Sequence, residues 1–381
     1  MLPRIYLSPP HMGSCELKYI IDAFESNWVA PLGPNVDEFE NDLSRYFSNI
    51  HVAVLSSGTA AIHLALVLLG VGRDDEVICQ SFTFSGSAYP IVYQGAVPIF
   101  VDSEQDTWNI SPDWLEHSIK DRIKKGKKPK AIIPVHLYGF PANMDEIVQI
   151  SRKYEIPIVE DAAEALGSKL GEKKCGTFGD LGILSFNGNK IITTSGGGAI
   201  ISSNDEWIRK VRYLSTQARD NAPHYEHTQI GYNYRMSNIL AGVGRGQLMV
   251  LEDRLKQKRA NFERYVTYFK KLNSIGYNIK WLEEPNGYFS NRWLTTILIN
   301  PEENNGINRE KIRQAFEQAN IESRPLWKPM HLQPVFKDAP YYGNSTAENI
   351  FNIGLCLPSG TNMSEEDWSR IFNTLDSIFY R

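Results

Sequence analysis

The chain has 381 residues, of which 42% are hydrophobic and 22% charged, enough for two domains around a large core and ordinary for a globular protein. A formal net charge of −4 gives no bulk electrostatic case for nucleic acid. No apolar run reaches the roughly 18 residues of a membrane span, and the opening MLPRIYLSPP lacks a basic-then-apolar signal pattern, so no membrane partner and a cytoplasmic location are expected.

Between about residues 50 and 200, short apolar runs alternate with helical patterns. Strands are predicted at 52–55, 76–79, 96–101, 131–135, 156–159, 181–186 and 199–201. Helices are predicted at 59–70, 85–94, from Ser111-Pro112 onward with proline in the first turn, and at 143–154. Repeated strand–helix alternation implies an α/β fold with a mostly parallel sheet covered on both faces, whose ligands bind beyond the carboxyl ends of the strands. After residue 237 the pattern changes. A long helical stretch covers 237–272, followed by a strand at 293–299, a helix at 309–319 and a final helix from Ser364. We read a large domain over 1–245 and a smaller C-terminal α/β domain over 246–381. The stretch 120–130 (KDRIKKGKKPK) holds seven basic residues and reads as a solvated helix end rather than a nucleic-acid patch. Cys15, Cys79, Cys175 and Cys356 form no CxxC pair or ligand spacing, so free thiols and no metal site are expected.

One constellation carries chemistry. Lys190 follows Ser185 by five residues and precedes the run TTSGGG at 193–198, on a loop at the end of an apolar strand. A lysine there can form an imine with an aldehyde, which suggests pyridoxal phosphate (PLP). Ser57-Gly58-Thr59, between a strand and an apolar helix, suits a phosphate, although Ser and Thr also cap many helices. Ser185 could add a hydroxyl. Asp161, at a strand end, could keep a pyridine nitrogen protonated or merely cap the next helix. Glu160 beside it would point the other way. Phe84 could stack on the ring with Ala163 on the opposite face, or be an ordinary core aromatic. His136 reads as a structural strand-end histidine rather than a cleft residue.

The segments 27–34 (NWVAPLGP), 56–65 (SSGTAAIHLA), 81–85 (SFTFS), 135–139 (VHLYG), 160–165 (EDAAEA), 185–190 (SFNGNK), 231–237 (GYNYRMS) and 324–331 (RPLWKPMH) together resemble the fold-type I aminotransferases, and within them the DegT/DnrJ/StrS group of nucleotide-sugar aminotransferases. The resemblance covers nearly the whole chain. It implies that Lys190 is the Schiff-base lysine and proton shuttle and that Asp161 pairs with the pyridine nitrogen. It implies that Gly58, Thr59 and Ser185 hold the phosphate and that Phe84 stacks on the ring. Asn233, otherwise a turn residue after Gly231, would reach a neighbouring subunit's cofactor phosphate, which requires a homodimer with shared active sites. One branch of the family has histidine at the lysine position and dehydrates sugars, so Lys190 argues for transamination.

The 324–331 segment resembles the subgroup acting on UDP-linked 4-keto-6-deoxy-N-acetylhexosamines. This implies substrate contacts from Arg324, Trp327, Lys328, Met330 and His331, with Asn27, Trp28, Val29 and Ala30 lining the same pocket. The expected reaction moves an amino group from glutamate to the C4 ketone of UDP-2-acetamido-2,6-dideoxy-hexos-4-ulose, for surface glycan or exopolysaccharide synthesis. The alternatives are a PLP-dependent sugar dehydratase and a PLP-binding regulatory protein without turnover.

Overall fold

The computed structural model describes residues 3–380. Two four-stranded sheets are fused edge to edge by the parallel bridges Ile132–Ile158 and Val135–Asp161. The joined sheet runs in the spatial order His51–Leu55, Gly198–Ser202, Leu181–Ser185, Val159–Asp161, Ala131–Ile133, Glu76–Gln80, Val97–Val101 and Tyr341–Tyr342. Only Gly198–Ser202 runs antiparallel to its neighbours; the remaining pairs are parallel. The expected mostly parallel sheet is thus present. Its strands are nearly continuous apolar runs because both faces are covered. The helix Gly58–Leu68 is buried from Ala60 through Leu66, which fits its position between the sheet and other helices.

Two expected helices are interrupted. The 85–94 segment is a 3-10 turn, Ser85–Ser87, followed by a short helix, Tyr89–Tyr93. Pro90 lacks an N–H, so one continuous helix cannot run through it. The 237–272 stretch is two helices, Asn238–Met249 and Leu251–Ser274. The break comes at Val250, whose N–H bonds back three residues to the Gln247 carbonyl at 3.2 Å. The glycine-rich first helix lies close on Glu16–Glu25 and Pro34–Tyr46, with Gly246 against Glu16 and Gly244 against Phe39. The second turns away to cover another core. The expected junction at 245/246 falls inside the Asn238–Met249 helix.

That other core contains Tyr265, Phe269, Ile297, Phe316, Leu355 and Trp368. It lies between an antiparallel sheet (Ile279–Lys280, Thr295–Ile299, Gly354–Leu357, Arg324–Pro325) and the helices Leu251–Ser274, Arg309–Gln318 and Glu365–Phe379. The last helix opens with a capping box between Ser364 and Asp367. Two segments cross over. Ile5 bridges Ile321, which places the first described residues on this second core. Tyr341–Tyr342 extends the large sheet beside Val97–Val101. Among the described residues no helix is long and apolar enough to cross a membrane.

Candidate active site

The strands Leu181–Ser185 and Gly198–Ser202 pair antiparallel, and the pairing continues past them through Phe186 N–H to the Gly197 carbonyl at 2.8 Å. The intervening loop therefore starts at the carboxyl end of Leu181–Ser185. It delivers Lys190 into a cavity of about 280 Å³ that is also lined by Gly58, Thr59, Phe84, Asp161, Ala163, Ser185 and Trp327. The Lys190 Nζ lies 3.4 Å from Glu164 Oε1 and 4.2 Å from the Trp293 ring centroid. Burial pushes the Glu164 carboxyl above its usual range, opposed by the adjacent Lys190 cation.

At one end of the cavity the helix Gly58–Leu68 presents its N-terminus. Ser57 Oγ caps it by accepting from Ala60 N–H at 3.0 Å. Ser57 thus takes the plain capping role, satisfying one amide, while the helix end still faces the cavity. Gly198 packs directly on this turn, where a Cβ would collide with Gly58 N and the Ser57 carbonyl. Ser185 sits on the other side, its Cβ 3.2 Å from where a side chain at Gly58 would begin. The Thr59 and Ser185 hydroxyls make no hydrogen bond within the described chain, leaving both free for an anion at the helix N-terminus.

Asp161 ends its strand 5% exposed. Its Oδ2 accepts from Ser87 Oγ at 2.7 Å and its Oδ1 from Ala163 N–H at 3.1 Å. Ser87 in turn bonds Thr83 at 2.8 Å. Glu160 turns to the opposite face, where it accepts from Phe178 and Gly179 N–H at 2.7 and 2.8 Å. It also bonds His136 Nε2 at 2.7 Å. His136 Nδ1 accepts from Ala142 N–H at 2.9 Å, so the ring hydrogen is on Nε2, and this histidine is a buried structural one.

Glu164, Trp293 and Ser87 are site residues that the sequence did not single out. Glu164 also accepts the Tyr138 N–H at 2.7 Å. That bond depends on a left-handed backbone at Tyr138 (φ 55), an uncommon conformation for a bulky side chain. The Tyr138 ring stacks between Trp293 and Trp327, with centroids 6.5 and 5.9 Å away. Its hydroxyl accepts from Trp327 N–H at 2.8 Å. Trp293 is pinned by Nε1–H to the Asn189 carbonyl at 2.7 Å.

The other sequence candidates are spread more widely. Phe84, 53% exposed, stands 5.4 Å from the Trp327 ring at the mouth. Arg324 and Lys328 line a neighbouring cavity of about 730 Å³ that shares Asn189, Trp293 and Trp327 with the first. Met330 is buried, and His331 bonds Ser81 Oγ at 2.6 Å while stacking on Tyr341; neither lines these two cavities. Asn27, Trp28, Val29 and Ala30 form a loop outside both. That loop is held by Asn238, which donates to the Trp28 carbonyl at 3.0 Å and from its backbone to the Ala30 carbonyl at 2.9 Å. Asn233 is exposed and bridges Thr216. Among the described residues no cluster of three or more His, Cys, Asp or Glu is placed to hold a metal ion.

This donor set fits PLP: an amine for the aldehyde, a buried carboxylate with lone pairs to spare, and a helix N-terminus with two unengaged hydroxyls for the phosphate. Comparison with known proteins agrees. Residues 10–376 match the DegT/DnrJ/EryC1/StrS aminotransferase family. The chain is 49% identical, over 100% of its length and 97% of the relative's, to the provisionally named pyridoxal phosphate-dependent aminotransferase EpsN of Bacillus subtilis (strain 168). It is 35% identical, over 99% of both chains, to the GDP-perosamine synthase of Caulobacter vibrioides. A protein of Streptococcus pneumoniae provisionally named as a sugar aminotransferase, Spr1654, solved in PLP and PMP forms, superposes with a TM-score of 0.88 at 28% identity. In its PLP form the match covers 99% of both chains.

Proposed function

Because this chain belongs to the DegT/DnrJ/EryC1/StrS aminotransferase family and is a PLP-dependent sugar aminotransferase, we propose that it moves an amino group from glutamate to the C4 ketone of a nucleotide-linked 4-keto-6-deoxy sugar. The preferred substrate is UDP-2-acetamido-2,6-dideoxy-hexos-4-ulose, and the product feeds surface glycan or exopolysaccharide synthesis. The observation that carries this reading is the placement of the Lys190 amine, beside Glu164 and Trp293, in one cavity with Asp161 and the Gly58–Leu68 helix N-terminus.

When bound, PLP supplies an electron sink for the pair released as a substrate C–H bond breaks, and it carries the amino group between the two half-reactions. Thr59, Ser185 and the helix amides would hold its phosphate, while Asp161, fixed by Ser87 and Ala163, would keep a proton at the ring nitrogen. Lys190 Nζ would be the point of attachment for the PLP aldehyde. With glutamate bound, Nζ would take the proton from its Cα, and in the sugar half-reaction it would deliver a proton to C4. Glu164 offers Nζ a nearby acceptor, and the Trp293 face steadies its charge.

The UDP preference is supported by the 324–331 segment, whose Arg324 and Lys328 could meet a diphosphate in the adjoining cavity. A GDP-linked sugar is the second reading, favoured by the 35% identity to a GDP-perosamine synthase. In our reading the cofactor sits on domain 1–245 and the substrate segment on domain 246–381. The enzyme works as a cytoplasmic homodimer in which Asn233 approaches the partner's cofactor phosphate. Support for the dimer comes from exposed apolar side chains on nearby loops, among them Trp28, Val29, Leu32 and Ile230.

Mass spectrometry after incubation with glutamate and a panel of UDP-, dTDP- and GDP-ketosugars tests the substrate. An amino sugar from the UDP substrate is expected, and turnover confined to GDP-sugars would replace it. Lys190→Ala should hold PLP without a covalent bond and lose transamination; near-normal turnover by that variant would refute the mechanism.

A further inference from the structure

Lys258 lies a third of the way along the Leu251–Ser274 helix with 3% of its surface exposed. Its Nζ donates to the Ser359 carbonyl at 2.7 Å, to the Trp293 carbonyl at 3.0 Å and to Ser8 Oγ at 3.0 Å. No carboxylate is among these partners. Burying an ammonium without a counter-ion is costly, so the contacts it makes are informative. Ser8 directs its own hydrogen to the Asn189 carbonyl at 3.0 Å, which means its oxygen must accept from Lys258. The same carbonyl takes the Trp293 indole hydrogen at 2.7 Å, so both of its lone pairs are filled. Asn189 immediately precedes Lys190, and Trp293 forms the wall 4.2 Å from Lys190 Nζ.

We propose that Lys258 is a positioning residue for the amine of Lys190. It acts through Ser8 on the Asn189 carbonyl and through the Trp293 backbone on the indole wall. Three sequence-distant segments are thereby drawn onto one ammonium, and the peptide that carries Lys190 cannot rotate without breaking two hydrogen bonds. Nζ must leave and regain the same attack position in every turnover, and misplacement by an ångström can cost about 100-fold in rate.

Two readouts test this: kcat and KM in steady state, and the rate at which PLP added to apoenzyme becomes attached, measured by borohydride trapping and mass spectrometry. Ser8→Ala is expected to lower kcat and the attachment rate by roughly tenfold while both KM values stay within about twofold. Ser8→Thr, which keeps the hydroxyl, restores both. Lys258→Met should lose at least as much as Ser8→Ala, and the double variant no more than Lys258→Met, because the two residues act in series. Wild-type kcat and attachment rate in Ser8→Ala would overturn the proposal, as would losses that multiply in the double variant. A change confined to KM would assign Ser8 to substrate binding and also overturn it. The inference rests on Lys190 being the amine that bears the cofactor. Lys190→Ala checks that separately, since it must abolish trapping altogether.

Discussion

Glu160 and Asp161 are neighbours with opposite duties, because a strand turns successive side chains to opposite faces. Glu160 ties down backbone amides and His136, whereas Asp161 faces the cavity. Asp161→Asn keeps the shape and removes the charge that we propose holds a proton on the ring nitrogen. The glutamate half-reaction, followed by the absorbance of bound cofactor, should slow on the order of 100-fold with PLP still bound; an unchanged rate would remove Asp161 from that role. Lys258 gives a prediction in pH. Burial pushes the Lys258 amine down to about 7 from 10.5, against three acceptors around Nζ that only the ammonium can satisfy together. Between those values the unfolded chain binds the extra proton, so stability rises with pH across the window and this gain is absent below about 7. In urea unfolding, wild type should gain about 3 kcal/mol over Lys258→Met between pH 7 and 9.5. A constant difference would mean that the amine keeps its proton when folded.

Elements set how close these residues come. The Gly58–Leu68 helix and the strand beginning at Gly198 meet backbone to backbone, with no flexible side chain between them to yield. Gly198→Ala should therefore push the helix N-terminus off the phosphate position and weaken PLP retention by at least about tenfold, measured as cofactor loss on dialysis; full retention would show that the two elements can separate at no cost. The same geometry explains what could be read beforehand. Lys190, Asp161 and Ser57-Gly58-Thr59 each sit at or just past the end of an apolar run, where a parallel sheet is expected to bind its ligand. Glu164 lay inside a recognised segment, but its role depends on the turn that brings it to Lys190. Trp293 and Ser87 come from segments far from Lys190 in sequence, so no local period could point to them. The break at Val250 carries no glycine or proline, and it coincides with a change of packing partner that no local pattern announces.

At the scale of the whole molecule, the exposed apolar side chains are uneven. Leu17, Ile21 and Phe24 emerge from the Glu16–Glu25 helix close in sequence to Trp28, Val29 and Leu32, more than scattered surface leucines would explain. Sedimentation of the holoenzyme should give the mass of two chains of 43.2 kDa, and Phe24→Glu with Val29→Glu should shift it toward one. A monomer at micromolar wild-type concentration would exclude the shared site. The crossing of Tyr341–Tyr342 into the large sheet has a consequence for synthesis. A ribosome releases Val97–Val101 long before the strand that will cover its edge, and Ile5 long before Ile321. Until Tyr341–Tyr342 is made, the nascent chain carries an open sheet edge, a template for pairing with other chains. The order in which this polypeptide is made therefore keeps that edge unpaired through most of the large domain's synthesis.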